Sequence, residues 1–260
     1  MLLLLALSVF VTPIYAQPPC PSSITSNTKL SADCTGSITI SANTITLDCQ
    51  GHTVSGIDGI YSGDNGIVLI GRTGVTIKNC KVTNFAAAFQ LISSDDNTLI
   101  WNTANGNFLG FQLVSSDGNV LKGNTANRNT LFLSGGCGGG FFISGINNVL
   151  DGNTANGNKV CTVSPYFNFG FIVEGNGNTL NWNSASGNGG GFLLSGFGDN
   201  TLNMNMANAN TYYGFGLFSS SSNTLNRNLA CGNTPFDAFQ DAFSTGNSFH
   251  KNLFCTTSGI

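Results

Sequence analysis

The chain has 260 residues, of which 8% are charged, and its formal net charge is −3 with a pI near 5.1. This composition offers no basic surface of the kind that binds nucleic acid, and no acidic tail. The length would suit one or two ordinary domains, but 34 glycines and a continuous sequence repeat predict one elongated domain.

The N-terminal segment, residues 1–16 (MLLLLALSVFVTPIYA), is an apolar run that ends in a small residue. It is typical of a secretory signal peptide and predicts cleavage after Ala16. An uncleaved anchor is the alternative, because no basic residue precedes the apolar run. Nothing later in the sequence is apolar enough to span a bilayer. We therefore expect a secreted or cell-surface protein, with residues 17–45 as an N-terminal cap and residues 235–260 as the last rung or cap of a domain spanning residues 17–260.

A repeat of roughly 22 residues runs from about Gly66 to the C-terminus, and residues 110–129 (GFQLVSSDGNVLKGNTANRN) are its plainest copy. Each copy has three short segments, G-F-x-L, N-T-L and N-x-A, separated by residues that suit turns. The alternation in G-F-x-L predicts a strand with one buried face. The sequence therefore predicts an all-β fold, a single-stranded right-handed parallel β-helix of about 8–9 rungs with two longer loops in the middle rungs.

Stacking the copies predicts continuous columns of like residues. One column is aromatic and comprises Ile67, Phe89, Phe111, Phe141, Phe171, Phe192 and Phe215. Three columns consist of asparagine and begin at Asn97, Asn102 and Asn107. An asparagine in a buried turn can bond to the next rung and satisfy backbone groups there. We therefore interpret these columns as internal ladders and not as a code for a ligand.

Eight cysteines form an even set in an exported chain, which favours disulfides. Cys231 and Cys255 hold equivalent positions on adjacent rungs, and the two long loops, 130–139 and 158–169, contribute one cysteine each. The expected pairs are Cys20–Cys34, Cys49–Cys80, Cys137–Cys161 and Cys231–Cys255. A metal site is the alternative, but no CxxC motif accompanies these thiols and the chain has 2 histidines. No metal site is predicted.

Residues 47–56 (LDCQGHTVSG) and 74–80 (GVTIKNC), followed by rungs with the pattern SxxNTLxxN, resemble the NosD-like right-handed parallel β-helix repeat family. That family overlaps the CASH repeats of carbohydrate-binding proteins and sugar hydrolases. The resemblance covers residues 38–252 and implies a right-handed coil in an extracytoplasmic setting. The NosD name implies maturation of a copper site, which two distant histidines and the pair Met204 and Met206 do not support.

The candidate catalytic residues are aspartates. Asp95 and Asp117 hold the same repeat position on neighbouring rungs, with Asp96 beside them. Paired carboxylates are what a polysaccharide hydrolase requires. Such oxygens also bind Ca²⁺, and no other cofactor is predicted. Aspartate is equally an ordinary turn former, which is the alternative interpretation.

The candidate ligand-binding residues are apolar and aromatic. Phe142, Ile172 and Leu193 occupy outward positions of the first strand and predict an exposed stripe, unless the long loops cover it. Tyr166 is a candidate, with Phe142, for a binding groove at that stripe. Trp101 and Trp182 are candidates for stacking on sugar rings, and aromatic residues that fill turns are the alternative interpretation. We therefore expect a non-catalytic module that interacts with a polysaccharide or a cell-surface glycan. The alternative is a polysaccharide hydrolase or lyase that uses Asp95 and Asp117.

Overall fold

The computed structural model describes residues 17–57, 63–129, 138–158 and 169–260. Across these ranges all regular secondary structure is β, in short strands separated by turns. Successive rungs stack their strands into three parallel sheets, the third of which is interrupted at one rung. The all-β parallel β-helix prediction is confirmed. The predicted signal peptide, Cys137, Cys161 and Tyr166 lie outside the described residues.

The first sheet is formed by the G-F-x-L segments. Its described strands, in spatial order, are β1 (Ser23–Ile24), β4 (Ile38–Ile40), β7 (Asn65–Ile70), β10 (Ala87–Ile92), β13 (Leu109–Val114), β15 (Gly139–Ser144), β18 (Phe169–Val173), β21 (Gly190–Ser195), β24 (Phe215–Phe218), β27 (Ala238–Gln240) and β30 (Thr257–Ser258). The register pairs like with like, for example Phe89 with Phe111 and Leu91 with Leu113.

The second sheet is formed by the N-T-L segments. Its described strands are β2 (Thr28–Lys29), β5 (Thr46–Asp48), β8 (Thr76–Lys78), β11 (Thr98–Ile100), β14 (Val120–Lys122), β16 (Val149–Asp151), β19 (Thr179–Asn181), β22 (Thr201–Asn203), β25 (Thr224–Asn226) and β28 (Ser248–His250). The central residue of each repeat strand points inward, and Leu99, Leu121 and Leu150 are fully buried.

The third sheet is formed by the N-x-A segments and has two parts. One part contains β3 (Cys34–Thr35), β6 (Thr53–Ser55), β9 (Lys81–Thr83) and β12 (Thr103–Ala104), and the other contains β17 (Thr154–Asn156), β20 (Ser184–Ser186), β23 (Met206–Asn208), β26 (Leu229–Cys231) and β29 (Leu253–Phe254). Thr125 bridges to Thr103 on one side and to Thr154 on the other, so the rungs stay in register across the gap.

The aromatic column forms the centre of the core. The rings of Phe89, Phe111, Phe141, Phe171, Phe192 and Phe215 stack in sequence, with centroid separations of 4.6, 4.7, 4.7, 4.7 and 4.9 Å. These separations match the spacing between strands, about 4.8 Å, because register places one ring above the next. No single rung could bury such a ring, so the stack makes each rung depend on its neighbours.

The three asparagine columns are internal ladders, as predicted. Asn153 represents them: its backbone N–H and its Nδ2 both donate to Oδ1 of Asn183, at 2.8 and 3.0 Å. Its Nδ2 also donates to the Leu121 carbonyl, and its Oδ1 accepts from the N–H of Asn124, both at 2.8 Å. The side chains of Asn124, Asn153 and Asn183 are buried, so this turn satisfies polar groups that would otherwise lack water. Elsewhere in the ladders, Asn200 Nδ2 is buried without a hydrogen-bond partner.

The third ladder ends on a buried carboxylate that the sequence did not reveal as special. Asp237 Oδ1 accepts from the N–H and Nδ2 of Asn233, at 2.8 and 2.7 Å. Its Oδ2 accepts from the N–H and hydroxyl of Thr256, at 2.9 and 2.8 Å. Burial raises the pKa of Asp237, but the bonds from Asn233 and Thr256 outweigh burial and hold that pKa below its ordinary value.

Three of the four predicted disulfides are confirmed. Cα atoms lie 4.8 Å apart in Cys20–Cys34, 4.7 Å apart in Cys49–Cys80 and 5.1 Å apart in Cys231–Cys255. Cys137–Cys161 lies outside the described residues and stays a prediction. Each disulfide joins neighbouring rungs. Cys231 and Cys255 hold equivalent positions, because Ala230 pairs with Phe254, and the spacing of one rung places such residues within bridging range.

Candidate functional site

The outer face of the first sheet carries the predicted stripe. Its central outward column comprises Val68, Gln90, Gln112, Phe142, Ile172, Leu193, Gly216 and Phe239. No described strand of this sheet contains a charged residue. The residue types of the column divide the face into a polar half around Gln90 and Gln112, toward the N-terminus, and an apolar half from Phe142 onward.

The polar half is a short ladder of side-chain amides. Asn65 Nδ2 donates to Gln90 Oε1 at 2.9 Å, and Gln90 Nε2 donates to Gln112 Oε1 at 2.8 Å. Both glutamines lie in the outward column, and the repeat pattern does not predict this chain of bonds. Because these amides bond to each other, part of their hydrogen-bonding capacity is already used.

The apolar half is mostly covered by its own aromatic residues. Ile172 and Leu193 are 5% and 6% exposed, and they pack with Phe169, Phe142 and Phe218. Phe169 occupies the space that a side chain at residue 190 would need, which the glycine there leaves free. Two of the predicted contact residues, Ile172 and Leu193, therefore present little surface, while Phe142 remains half-buried.

An aromatic cluster extends the apolar half toward the C-terminus. Tyr213 stacks on Phe239 with centroids 4.6 Å apart, and Phe218 lies 5.5 and 5.2 Å from these two rings. The cluster covers Gly216, where a Cβ atom would meet the rings of Phe218 and Tyr213. These rings pack on each other, so this region is a minor core outside the solenoid.

Glu174, the single glutamate of the chain, lies beside the apolar half. It follows the inward residue Val173 directly and neighbours Ser144 in the adjacent rung. Burial raises the pKa of Glu174 above its ordinary value. Its residue type gave no signal in the sequence, because the cause of the shift is burial in the folded chain.

Trp101 and Trp182 lie on a different surface, the turns from the second sheet to the third. Their side chains are 64% and 63% exposed. Each rung has a residue of positive φ at this position, namely Gln50, Asn79, Trp101, Gly123, Gly152, Trp182, Met204, Arg227 and Lys251. We call the part from Trp101 to Lys251 the tryptophan edge.

The backbone of this edge is unfavourable for tryptophan. The φ values of Trp101 and Trp182 are 52° and 56°, a conformation that costs a residue with a Cβ atom about 1 kcal/mol or more. The Cδ1 and Nε1 atoms of Trp101 lie over Gly123, where a Cβ atom would be 2.7 and 2.9 Å away. No atom lies within 4 Å of the corresponding position at Gly152. The exposed indole of Trp101 thus covers the glycine of the next rung, and the equivalent position at Gly152 beyond it is open.

The candidate catalytic aspartates lie in the turns from the first sheet to the second. Asp95 Oδ1 accepts from the N–H of Asp117 at 2.9 Å, and Asp117 Oδ1 accepts from the N–H of Ile146 at 2.8 Å. Asn176 makes the equivalent bond to the N–H of Gly198 at 2.8 Å. Since a neutral amide does the same in another rung, these bonds account for the two carboxylates as turn caps. Asp96 lies beside them with a φ of 55°.

Other charged side chains pair at the surface. Lys122 Nζ lies 3.1 Å from Asp151 Oδ2, and Lys78 Nζ lies 3.5 Å from Asp48 Oδ2. A hydrogen bond from Asn79 is the largest cause that lowers the pKa of Asp48. Within the described ranges, no group of three or more His, Cys, Asp or Glu residues is arranged to hold a metal ion.

Comparison with known proteins identifies the type of solenoid. A family described as "Right handed beta helix region" matches residues 22–176. The periplasmic alginate epimerase AlgG has a TM-score of 0.62 at 13% identity, over 86% of this chain and 75% of that one. A polygalacturonase from Erwinia carotovora ssp. carotovora has a TM-score of 0.59 at 12% identity, over 94% and 77%. Pectate lyase Pel9A has a TM-score of 0.56 at 15% identity, over 94% and 69%.

At these identities the likeness to solved structures shows the fold, and the predicted right-handed coil is confirmed by the family match. The names of all three proteins describe enzymes that act on polysaccharides. No curated protein sequence matches the chain. Among the described residues, no helix has the length and apolar character needed to cross a membrane.

Proposed function

Since the chain belongs to the right-handed β-helix family, we propose that it acts as a secreted, non-catalytic module that binds a polysaccharide or a cell-surface glycan. Cleavage of the signal peptide after Ala16 is part of this proposal. The proposed contacts are the indole rings of Trp101 and Trp182. The observation that carries the proposal is the high exposure of both rings on one edge of the solenoid.

The tryptophan edge supports binding because the indoles have little structural reason to be there. Glycine fills two rungs between them at the same positive φ, so the turn itself does not need a large side chain. An indole offers a large flat apolar surface with a polar N–H, which suits the C–H faces of sugar rings. Retaining a strained, exposed aromatic residue is typical of functional positions.

Two further observations support the class of ligand and the setting. Three solved structures of the same fold are named as enzymes acting on alginate, pectate and polygalacturonate. The disulfides Cys20–Cys34, Cys49–Cys80 and Cys231–Cys255 are typical of an oxidising compartment. The absence of charged residues from the described strands of the first sheet favours binding over acid–base chemistry on that face.

The test is a glycan-array screen of the purified protein, followed by titration of the best ligand against Trp101→Gly and Trp182→Gly. Glycine accepts the positive φ, so these variants remove the indole and relieve backbone strain. Each should weaken binding by about tenfold, which corresponds to about 1.4 kcal/mol, with an unchanged or higher melting temperature. Phe197→Ala, at a 47% exposed ring on another turn, is the control and should bind normally.

The alternative function is polysaccharide cleavage by Asp95 and Asp117, with Asp96 beside them. The observation that favours it is that Asp95 and Asp117 hold equivalent positions on neighbouring rungs, where the N–H of Asp117 donates to Asp95 Oδ1 at 2.9 Å, because glycosidases also require two carboxyl groups close together. A reducing-sugar assay on pectate, alginate and neutral glucans tests it. Activity that is lost in Asp95→Asn and Asp117→Asn would replace the binding proposal with an enzymatic one.

A further inference from the structure

The tryptophan edge presents one residue per rung at a regular spacing. We propose that it binds a linear glycan lengthwise, with one sugar per rung and an acidic group at the Arg227 and Lys251 end. This inference rests on the proposed glycan-binding function and specifies how the site reads its ligand. It adds a register, a minimum length and a charge preference.

Backbone hydrogen bonds keep the edge continuous. The N–H of Trp101 donates to the Lys122 carbonyl at 3.0 Å, and the N–H of Gly123 donates to the Asp151 carbonyl at 2.9 Å. The N–H of Trp182 donates to the Asn203 carbonyl at 3.0 Å. The same bond recurs at Gly152, Met204 and Arg227. Successive positions of the edge are therefore one rung apart, about 4.8 Å.

The spacing of the two indoles follows from this continuity. Three rung steps separate Trp101 from Trp182, by way of Gly123 and Gly152, which gives a separation of about 14 Å. One pyranose unit in an extended 1,4-linked chain has a length close to one rung step. A tetrasaccharide along the edge would therefore place its terminal sugars on the two indoles, of which that of Trp101 lies over Gly123, and an inner sugar over Gly152, where no atom lies within 4 Å of the Cβ position.

The C-terminal part of the edge adds positive charge. Arg227 and Lys251 are exposed and follow Met204 in successive rungs. Neither cation forms an ion pair with a described residue, although the whole chain has a net charge of −3. Two free cations in line with the indoles favour a carboxylate or sulfate on the same chain, in an interaction that salt screens.

The experiment is calorimetric titration with two matched series, β-1,4-linked mannose oligomers and the same oligomers oxidised to uronic acids at C6, from disaccharide to octasaccharide. Neutral oligomers should gain at least about tenfold in affinity between trisaccharide and tetrasaccharide. This step should disappear in Trp101→Gly and in Trp182→Gly. The uronic acid series should bind more tightly at low salt, and Arg227→Gln with Lys251→Gln should remove that preference without changing the affinity for neutral oligomers.

Three results would overturn the inference, each at a different point. A smooth dependence on length, with binding still lost in the tryptophan variants, would refute the register and leave glycan binding intact. No binding of either series, together with a silent glycan array, would refute both proposals. An acid preference that survives the Arg227 and Lys251 substitutions would refute the assignment of the charged end.

Discussion

Replacement of Asn153 by alanine tests how much one buried asparagine contributes to the solenoid. The side chain accepts from the N–H and Nδ2 of Asn124, at 2.8 and 3.1 Å, and donates to Leu121 O and Asn183 Oδ1, at 2.8 and 3.0 Å. Alanine leaves the Asn124 N–H and one Asn124 amide hydrogen without partners, whereas the Leu121 carbonyl keeps its place in the ladder between β14 and β16. At about 1–3 kcal/mol for each buried orphan, the expected loss is about 2–6 kcal/mol.

That loss is large against the stability of an ordinary domain, about 5–15 kcal/mol. Asn127→Ala is the matched control, because Asn127 lies one rung earlier on an outer column. Its Oδ1 accepts from the N–H of Asn156 at 2.7 Å, and both residues are partly accessible to water. Removing this partly hydrated bond should cost about 0.5–1.5 kcal/mol.

Urea unfolding at equilibrium measures the free energy of unfolding of both variants, with unchanged slopes required for the comparison. Amide hydrogen exchange localises the effect, since the Asn124 N–H should exchange much faster in Asn153→Ala than in the parent protein. Equal destabilisation by the two variants, or a protected Asn124 amide in Asn153→Ala, would show that the ladder is not a principal source of stability.

Three other predictions concern the ends, the outer face and the disulfides. Asp237→Asn should cost about 1–3 kcal/mol, because an NH₂ group then faces the Thr256 N–H and hydroxyl. Since the pKa of Asp237 is lowered, the parent protein has this stability above the ordinary carboxyl pKa of 3.8 and loses it as pH falls below that value. Melting temperatures at pH 6 and pH 3 should show this loss in the parent protein and not in the variant. Glu174→Gln should raise the melting temperature at pH 7 and not at pH 3. The reason is that a raised carboxyl pKa makes the folded state favour the protonated form, so the protein loses stability as pH rises through that pKa. An equal effect at both pH values would contradict this cause. Replacing Cys49 and Cys80 with alanine should cost about 3–4 kcal/mol by urea unfolding, from the sequence separation of 31 residues that the disulfide closes, and a loss below 1 kcal/mol would show that the neighbouring rungs already restrain the chain.

The tryptophan edge shows where sequence reasoning reached its limit for the site. The repeat placed Trp101 and Trp182 in turns, but a turn position does not say whether a ring is exposed or folded onto its neighbours. Exposure followed from glycines in the next rungs, about 4.8 Å away in space and one full repeat away in sequence. The same limit applies to Ile172 and Leu193, whose outward direction was predicted and whose cover by Phe142, Phe169 and Phe218 was not.

The sequence by itself determined the all-β solenoid, its inward columns, the three asparagine ladders and the disulfides confirmed above. It could do so because a residue at a given repeat position meets the equivalent residue of the next rung, so the period alone specifies the contact. Only the tertiary structure decided that Asp237 ends the third asparagine ladder, that Glu174 is partly buried and that the two indoles are exposed. Those properties depend on the places where neighbouring rungs differ, and a pattern of equivalent positions carries no information about contacts between unequal ones.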